Sequence, residues 1–230
     1  MNQETVHYEE IKNKSMAMGA VLFGVADIEP LKLRFLLSNE EMEHLRFGIS
    51  IALPLSRNIL QGIDQRPTLL YKWHYRQANV LLDRIAFDLS LDIMRRGFEA
   101  LPIPASQVVD WENQKGHVSH RAVAEAAGLG WRGRNNLLVN TVYGSQIRLV
   151  TILTSLPLKT DIPVPFQCGT CRQCIEACPV HALGETPEEY HYHQCFQLLE
   201  SFSRLKGIGV HICGLCVKAC RGIEDRNTRD

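Results

Sequence analysis

The chain has 230 residues with 25 basic and 25 acidic side chains, so its formal net charge is zero. This balance excludes the overall positive field that attracts nucleic acids or anionic membranes, and we expect neither as a partner. The length allows one large domain, or one domain with a smaller appendage, with a proper hydrophobic core. No apolar run reaches the length of a membrane span and the polar N-terminus lacks a secretory signal, so we expect a cytoplasmic protein.

The first hundred residues predict a mixed α and β domain. A helix is expected at about residues 4–18, and strands are expected over 20–28 and 47–55. Apolar residues then recur at helical steps from Leu70 to Met94, which predicts a long amphipathic helix lying against the sheet and ending at Gly97. The positions that define this stripe are Ala78, Leu81, Ile85, Leu89 and Ile93.

A glycine pattern follows the next helix. The stretch "GFEALPIPAS" predicts a short strand, and "VSHRAVAEAA" predicts a helix capped by Ser119. Gly128, Gly130 and Gly133 have the G-x-G-x-x-G spacing of nucleotide-binding loops, but they follow a helix instead of a strand. We therefore interpret Gly128 as a left-handed helix terminator and the others as turn residues. Two further strands are expected, joined by the turn "VYGSQ", at residues 136–140 and 147–155.

All eight cysteines lie between residues 168 and 220. Together with the Pro-rich stretch "LPLKTDIPVPFQ", this distribution predicts two domains, residues 1–157 and 158–230. Clustered cysteines of a cytosolic protein are more often metal ligands than disulfides.

The spacing of these cysteines indicates iron–sulfur clusters. "CGTCRQCIEACP" matches the run C-x₂-C-x₂-C-x₃-C-P of bacterial ferredoxins, in which the fourth cysteine binds a second cluster. By that crossed arrangement one [4Fe–4S] cluster takes Cys168, Cys171, Cys174 and Cys220. The other takes Cys178, Cys195, Cys213 and Cys216. Two structural zinc sites are the alternative, and Arg221 stands where the ferredoxin pattern has proline after the last cysteine.

The stretch "HRAVAEAAGLGWRGRNNLLVNTVYGSQIRLVTILTSLPL", followed by "CGTCRQCIEACPVHAL", resembles the epoxyqueuosine reductases, which are relatives of the reductive dehalogenases. The resemblance implies an α+β fold, with a nitroreductase-like α/β sandwich domain that holds cobalamin and a ferredoxin-like module with two [4Fe–4S] clusters. It further implies that residues after the glycine turn face the corrin amides or the near cluster. These candidate residues are Gly130, Arg134, Asn135, Asn136, Tyr143, Gly144 and Ser145.

Two departures from the family change the expected reaction. Gln114 stands where the epoxyqueuosine reductases carry an aspartate thought to protonate the substrate, and glutamine cannot act as that acid. The family's C-terminal helical repeat, used on transfer RNA, is also missing from this sequence. We therefore expect no transfer-RNA modification. His117 and His120 are candidate replacement proton donors, since histidine ordinarily titrates near pH ~6.5, and the alternative is that both are partly exposed loop residues.

These observations lead to two functional hypotheses. The first is a redox enzyme that takes electrons from a donor such as ferredoxin or flavodoxin through two clusters to a corrinoid, which reduces a small molecule or is itself the substrate. The second is a ferredoxin-like electron carrier or a corrinoid-handling partner with no substrate chemistry of its own. A flavin in the first domain is a third, more remote interpretation.

Overall fold

A computed structural model describes residues 2–223 of the chain. In this range the α-helices are α1 (Gln3–Ala17), α2 (Asn39–Met42), α3 (Arg57–Gln61), α4 (Leu69–Arg95), α5 (His120–Ala126), α6 (Gln173–Glu176), α7 (Tyr192–Ser203) and α8 (Leu215–Ala219). The strands are β1 (Leu22–Asp27), β2 (Phe47–Pro54), β3 (Ala100–Ile103), β4 (Trp131–Arg132), β5 (Leu138–Val139) and β6 (Ile147–Thr154). None of the helices described here is long and apolar enough to cross a membrane.

The chain forms two compact units that are both discontinuous in sequence. The first unit comprises Met1–Leu53, Asn79–Leu129 and Arg148–Val164. The second unit comprises Pro54–Ala78, Gly130–Ile147 and Pro165–Asp230, and it contains all eight cysteines. The division into residues 1–157 and 158–230 stays a prediction.

A four-stranded sheet in the order β1-β2-β6-β3 is the frame of the first unit. β1 pairs antiparallel with β2, with Leu22 opposite Ala52, and β3 pairs antiparallel with β6, with Ala100 opposite Thr154. The central strand β2 reads as an almost continuous apolar run and its six interior residues are all buried. Burial on both faces is expected for a strand that is covered by helices on each side.

Helices cover this sheet on both faces. On one face, side chains of α1 and α4, such as Ile11 and Leu89, share a buried cluster with Ile49 and Ile152 of the central strands. On the other face Gly48 of β2 lies against Val123 of α5, so closely that a Cβ atom at Gly48 would approach the Val123 side chain to 2.9 Å. The first unit is therefore an α and β sandwich in which the sheet lies between two layers of helices.

Most elements of the first unit follow the sequence prediction. The helices and strands expected at 4–18, 20–28, 47–55 and 147–155 are present, and Gly97, with φ +86°, ends α4 as predicted. The prediction that Leu81 belongs to the buried stripe of α4 is wrong, because Leu81 is 41% exposed whereas the next residue, Leu82, is fully buried.

The region around Gly128 shows a correct local prediction and a wrong pairing. Ser119 caps α5 by accepting a hydrogen bond from the backbone N–H of Ala122 (3.3 Å), and Gly128 terminates the turn after α5 with φ +71°. The strands at 136–140 and 147–155 do not form a hairpin, however. β5 pairs with β4, a strand that the sequence analysis did not predict, while β6 joins the large sheet. β4 was not predicted because the flanking Gly130 and Gly133 are residues that strands disfavour.

Candidate functional site

Four cysteines of the second unit line one cavity. Cys168 and Cys171 lie in the loop before α6, Cys174 lies within α6, and Cys220 directly follows α8. We call this set the first cysteine group. Its members are the four that the crossed ferredoxin arrangement assigns to one cluster.

The other four cysteines assemble beside the first group. Cys178, Cys195 and Cys216 pack with Cys174 in one apolar cluster. Burial raises the pKa of Cys213 to about 11, with smaller contributions from Cys195 and Cys178 nearby. We call Cys178, Cys195, Cys213 and Cys216 the second cysteine group. The two groups adjoin, because Cys174 of the first group is close enough to raise the pKa of Cys216 in the second.

The surroundings of these thiols suit a cationic cluster core. Burial raises the pKa of Cys174 to about 12, and the neighbouring thiols of Cys220, Cys168 and Cys171 raise it further. The raised pKa reflects the free-energy cost of a buried thiolate. A bound metal centre offsets this cost, since its positive charge favours the thiolate form. Within residues 2–223 no three His, Cys, Asp or Glu side chains converge closely enough to hold one metal ion. The first group instead surrounds a cavity, which is the arrangement that a cluster of several atoms requires.

Arg134 fixes the loop that carries the first cysteine group. Its side chain is 9% exposed, and each of its three guanidinium nitrogens donates to a backbone carbonyl: Nε to Glu185 (2.8 Å), Nη1 to Cys171 (3.1 Å) and Nη2 to Gly169 (2.9 Å). The guanidinium also lies over the ring of Phe166, 5.4 Å from its centroid. Arg134 therefore lies beside the first cysteine group, and a contact with corrin amides stays a prediction.

The "YGS" segment holds the chain around the last cysteine. Gly144 has φ +58°, and a Cβ atom there would overlap the carbonyl oxygen of Cys220. The backbone N–H of Ser145 donates to that same oxygen (3.2 Å), and Gln146 Nε2 donates to the carbonyl of Lys218 (2.9 Å). These contacts hold the chain after Cys220 without the proline of the ferredoxin pattern.

A short hydrogen-bond chain reaches the sulfur of Cys220. Asn135, which is 4% exposed, donates from Nδ2 to the hydroxyl oxygen of Ser145 (2.8 Å). Ser145 in turn hydrogen-bonds the Cys220 thiol through its side chain and its backbone, and both interactions lower the pKa of Cys220 against the raising effect of burial. Asn135 and Ser145 therefore also serve the first cysteine group.

The remaining candidates of that stretch have structural contacts. A Cβ atom at Gly130 would overlap the carbonyl of Val139, so glycine allows β4 to approach β5 closely. Asn136 adopts a left-handed conformation with φ +56°, and its Oδ1 accepts from Arg132 Nε (2.8 Å). Tyr143 is partly buried in the turn before Gly144.

Two aromatic residues contact the cysteines in ways that the sequence analysis missed. Trp131, which is 1% exposed, donates its indole N–H to Cys168 Sγ (3.3 Å). The side chain of Tyr190 hydrogen-bonds the thiol of Cys195. The partner of Trp131 lies 37 positions away in the sequence, so no local spacing signals this contact.

A separate cavity in the first unit, of about 200 Å³, contains both candidate histidines. Its walls are Ile103, Pro104, Ala105, Ser106, Gln107, Val108, Gly116, His117, Val118 and His120. His117 Nδ1 is buried there without a hydrogen-bond partner among the described residues. A buried polar atom of this kind is rare and marks a position where a ligand or a water molecule can bind.

The contacts of His120 argue against a role as proton donor. Its Nε2 contacts the carbonyl of Pro104 (2.9 Å), which can only accept, so Nε2 carries the proton and Nδ1 accepts from the Thr151 hydroxyl (2.9 Å). Burial lowers the pKa of His120 to about 4, and nearby Arg148 also lowers it. A neutral ring with both nitrogens engaged stabilises the cavity wall and has no proton to deliver near neutral pH.

Gln114, which the sequence resemblance places at the position of the family's aspartate, is part of a tight turn. Gln114 has φ +51°, and its Nε2 donates to the carbonyl of Trp111 (2.6 Å). Asp110 and Lys115 close this turn as a β-bridge. Gln114 is not among the residues that line the 200 Å³ cavity.

Curated proteins with similar sequences are epoxyqueuosine reductases. The enzyme of Bacillus subtilis is 30% identical over 156 residues, which covers 64% of this chain and 38% of that protein. The enzyme of Listeria monocytogenes is 47% identical over 68 residues, covering 30% of this chain and 18% of that protein. The chain thus spans less than half the length of these relatives. No protein-family model matches it.

Solved structures share the fold. A reductive dehalogenase whose structure suggests a mechanism for B12-dependent dehalogenation matches 99% of this chain, at 34% of its own length, with a TM-score of 0.77 and 20% identity. Epoxyqueuosine reductase from Streptococcus thermophilus matches 92% of this chain, at 65% of its own length, with a TM-score of 0.63 and 22% identity. The chain is thus similar in sequence to epoxyqueuosine reductases over part of their length, and it shares the fold of these solved structures.

Proposed function

We propose that the chain is an iron–sulfur oxidoreductase whose eight cysteines hold two [4Fe–4S] clusters. These clusters pass electrons to a corrinoid, which either is the substrate or reduces a small molecule. The observation that carries this proposal is the assembly of the cysteines into two adjoining groups of four, the first around one cavity. Such clusters, when bound, supply single electrons.

The chain's own residues prepare these groups for electron transfer. Arg134 holds the Cys168–Cys174 loop by three carbonyl contacts, and the Gly144–Ser145 turn holds Cys220. Because these ligand-bearing segments are fixed by buried contacts, a change of charge at the sulfurs requires little rearrangement of the backbone. Cys174 of the first group lies near Cys216 of the second group, and such a short separation between the two groups favours electron transfer between them.

The proposal of a corrinoid cofactor is based on a protein of similar fold, a reductive dehalogenase described in terms of B12-dependent dehalogenation. The residues implied for corrin contacts do not supply a test of fit, because the polar groups of Arg134, Asn135 and Ser145 are engaged around the first cysteine group. We therefore assign no residue of this chain to the corrin ring. Nothing in the relatives' names supports the flavin interpretation.

The 200 Å³ cavity of the first unit is the proposed substrate pocket. His117 Nδ1 is a buried atom of this cavity without a partner among the described residues, and His117 is the residue that we propose as proton donor in place of the family's aspartate. The carboxylic acid's position is occupied by Gln114, so the proposed reaction is not epoxyqueuosine reduction in transfer RNA. We propose a ferredoxin or flavodoxin as electron donor.

Anaerobic titration of the cluster-loaded protein with hydroxocobalamin, followed by absorbance, tests the corrinoid assignment. We expect a saturable change to a base-off spectrum and, after reduction, a cob(I)alamin spectrum. If loaded protein gives no spectral response at any cobalamin concentration, the chain is an electron carrier and the corrinoid proposal is wrong.

The His117→Gln variant tests the substrate pocket in the same protein. Gln retains a polar side chain but cannot deliver a proton. We expect unchanged iron content and an unchanged cobalamin response, with slower substrate reduction and loss of the decline in rate toward high pH that a proton donor causes. A pH profile identical to that of the original protein would exclude His117 as the proton donor.

A further inference from the structure

The indole N–H of Trp131 is aimed at a sulfur atom of the first cysteine group. The nitrogen lies 3.3 Å from Cys168 Sγ, and the Trp131 side chain is 1% exposed, so water does not compete for this donor. β4 fixes the indole in place, because Trp131 pairs with Val139 of β5 in a two-stranded sheet. The contact is therefore buried and held in place by the strand pairing of the second unit.

Hydrogen bonds to cluster sulfurs are among the factors that set the reduction potential of an iron–sulfur cluster. A donor stabilises the more negative, reduced state more than the oxidised state, because the extra electron increases the charge on the sulfurs. We propose that Trp131 raises the reduction potential of the cluster bound by Cys168, Cys171, Cys174 and Cys220. This inference rests on the proposed function, in that both cysteine groups must bind clusters.

The other donors around the cysteines divide between the two groups, which makes the inference specific. Ser145 hydrogen-bonds Cys220 and so acts on the same group as Trp131. Tyr190 hydrogen-bonds Cys195 and so acts on the second group. Removal of each donor is therefore expected to shift one potential and leave the other in place.

A redox titration followed by electron paramagnetic resonance tests this in reconstituted protein. The reductant adds one electron to each cluster, and no bond forms or breaks. Trp131→Phe keeps an aromatic ring but removes the N–H. We expect one of the two midpoint potentials to fall, by up to about tenfold in the reduction equilibrium constant, or ~59 mV. Ser145→Ala should lower the same potential, and Tyr190→Phe should lower the other.

Iron and sulfide content separates failure of this inference from failure of the proposed function. If the original protein binds fewer than two clusters, the proposed function is wrong. If it binds both, and Trp131→Phe leaves both potentials unchanged or shifts the potential that Tyr190→Phe shifts, the role of Trp131 is wrong.

If the Trp131→Phe variant fails to bind its clusters, a measurement on the unmutated protein still tests the proposal. Protein labelled with ¹⁵N in the tryptophan indole is reduced, and pulsed paramagnetic resonance detects nitrogen coupled to the cluster electron spin. Trp131 is the buried tryptophan, whereas Trp73 and Trp111 are both more than half exposed. We expect an indole coupling on one of the two cluster signals, and its absence would overturn the proposal.

Discussion

The two compact units of the chain are stabilised by different means. The first unit has a continuous apolar core between a four-stranded sheet and its helices, with fully buried residues such as Ile85, Leu89 and Ile152. The cysteine-bearing part of the second unit has short elements, and neither α7 nor α8 contains a buried residue. The buried cluster around Cys174 and Cys178 consists of these two cysteines with Ala182 and Leu183, so half of its buried side chains are thiols.

This difference indicates which forces each unit needs. A core of aliphatic side chains stabilises the first unit by removing apolar surface from water, and it requires no cofactor. The second unit also has an apolar cluster, which includes Leu60, Ile63 and Ile212, but the segment that carries Cys174 and Cys178 has short helices, so we expect that segment to depend on a bound metal centre. Small metal-binding domains commonly fold only when the metal is present.

Removal of the metal should give the largest contrast between the units. In protein stripped of iron by a chelator under anaerobic conditions, we expect amides of residues 168–220 to lose most of their protection from hydrogen exchange. The β1-β2-β6-β3 amides should remain protected, because their core contains no cysteine. Equal loss of protection in both regions would contradict the comparison.

The Leu89→Ala substitution should act on the first unit alone. Leu89 is fully buried, and its truncation leaves a cavity that lowers the free energy of unfolding by about 2–5 kcal/mol. Phe87→Ala on the same helix is the matched control, since Phe87 is 56% exposed and its loss should cost less than about 0.5 kcal/mol. Urea denaturation measures both, and the iron content should stay unchanged. Loss of iron from Leu89→Ala would show that the two units are not independently stabilised.

The Arg134→Lys substitution should weaken the second unit. Lysine keeps the charge but has its donors on a single nitrogen, which cannot reach all three carbonyls that separate guanidinium nitrogens contact, so we expect the free energy of unfolding to fall by about 1.5–3 kcal/mol. The observable result is faster release of iron from one of the two clusters to a chelator. Arg204→Lys is the control, because Arg204 pairs with Glu200 on an exposed surface. Equal release rates for the two variants would refute the role of Arg134.

His120 should produce a smaller, pH-dependent effect in the first unit. Its pKa in the folded protein is about 4, below the ordinary value of about 6.5, so the unfolded chain binds a proton more readily as the pH falls. Stability should therefore be complete above about pH 6.5 and decline toward pH 4, by at most about 2 kcal/mol between pH 7 and 5.

Hydrogen exchange of β6 amides across that pH range measures the His120 effect. His120→Gln can retain contacts to Pro104 and Thr151 but does not titrate, so its stability should be less dependent on pH. A slope that persists unchanged in this variant would assign the dependence to another group.

The sequence predicted those parts of the molecule that depend on local pattern. The apolar runs of β2 and β6, the Ser119 cap and the Gly128 terminator all act through neighbouring residues, so they could be read directly. The crossed cysteine groups could be predicted because the ferredoxin spacing carries the three-dimensional arrangement with it.

Contacts between distant segments could not be predicted in this way. Arg134 binds carbonyls of residues more than thirty positions away, and the neutral state of His120 depends on its burial in the fold. Residue type alone suggested that Arg134 faces a cofactor and that His120 donates protons. Only the folded arrangement shows that Arg134 contacts backbone carbonyls and that both ring nitrogens of His120 are engaged.

The crossed assignment of the cysteines is the central claim, and single cysteine-to-serine variants test it most directly. In the reduced, reconstituted protein two cluster signals are expected by electron paramagnetic resonance. Cys174→Ser and Cys220→Ser should change the same signal, although 46 positions separate them, whereas Cys178→Ser should change the other signal together with Cys213→Ser. If Cys174→Ser and Cys178→Ser change one and the same signal, each run of cysteines binds its own metal centre and the account is wrong.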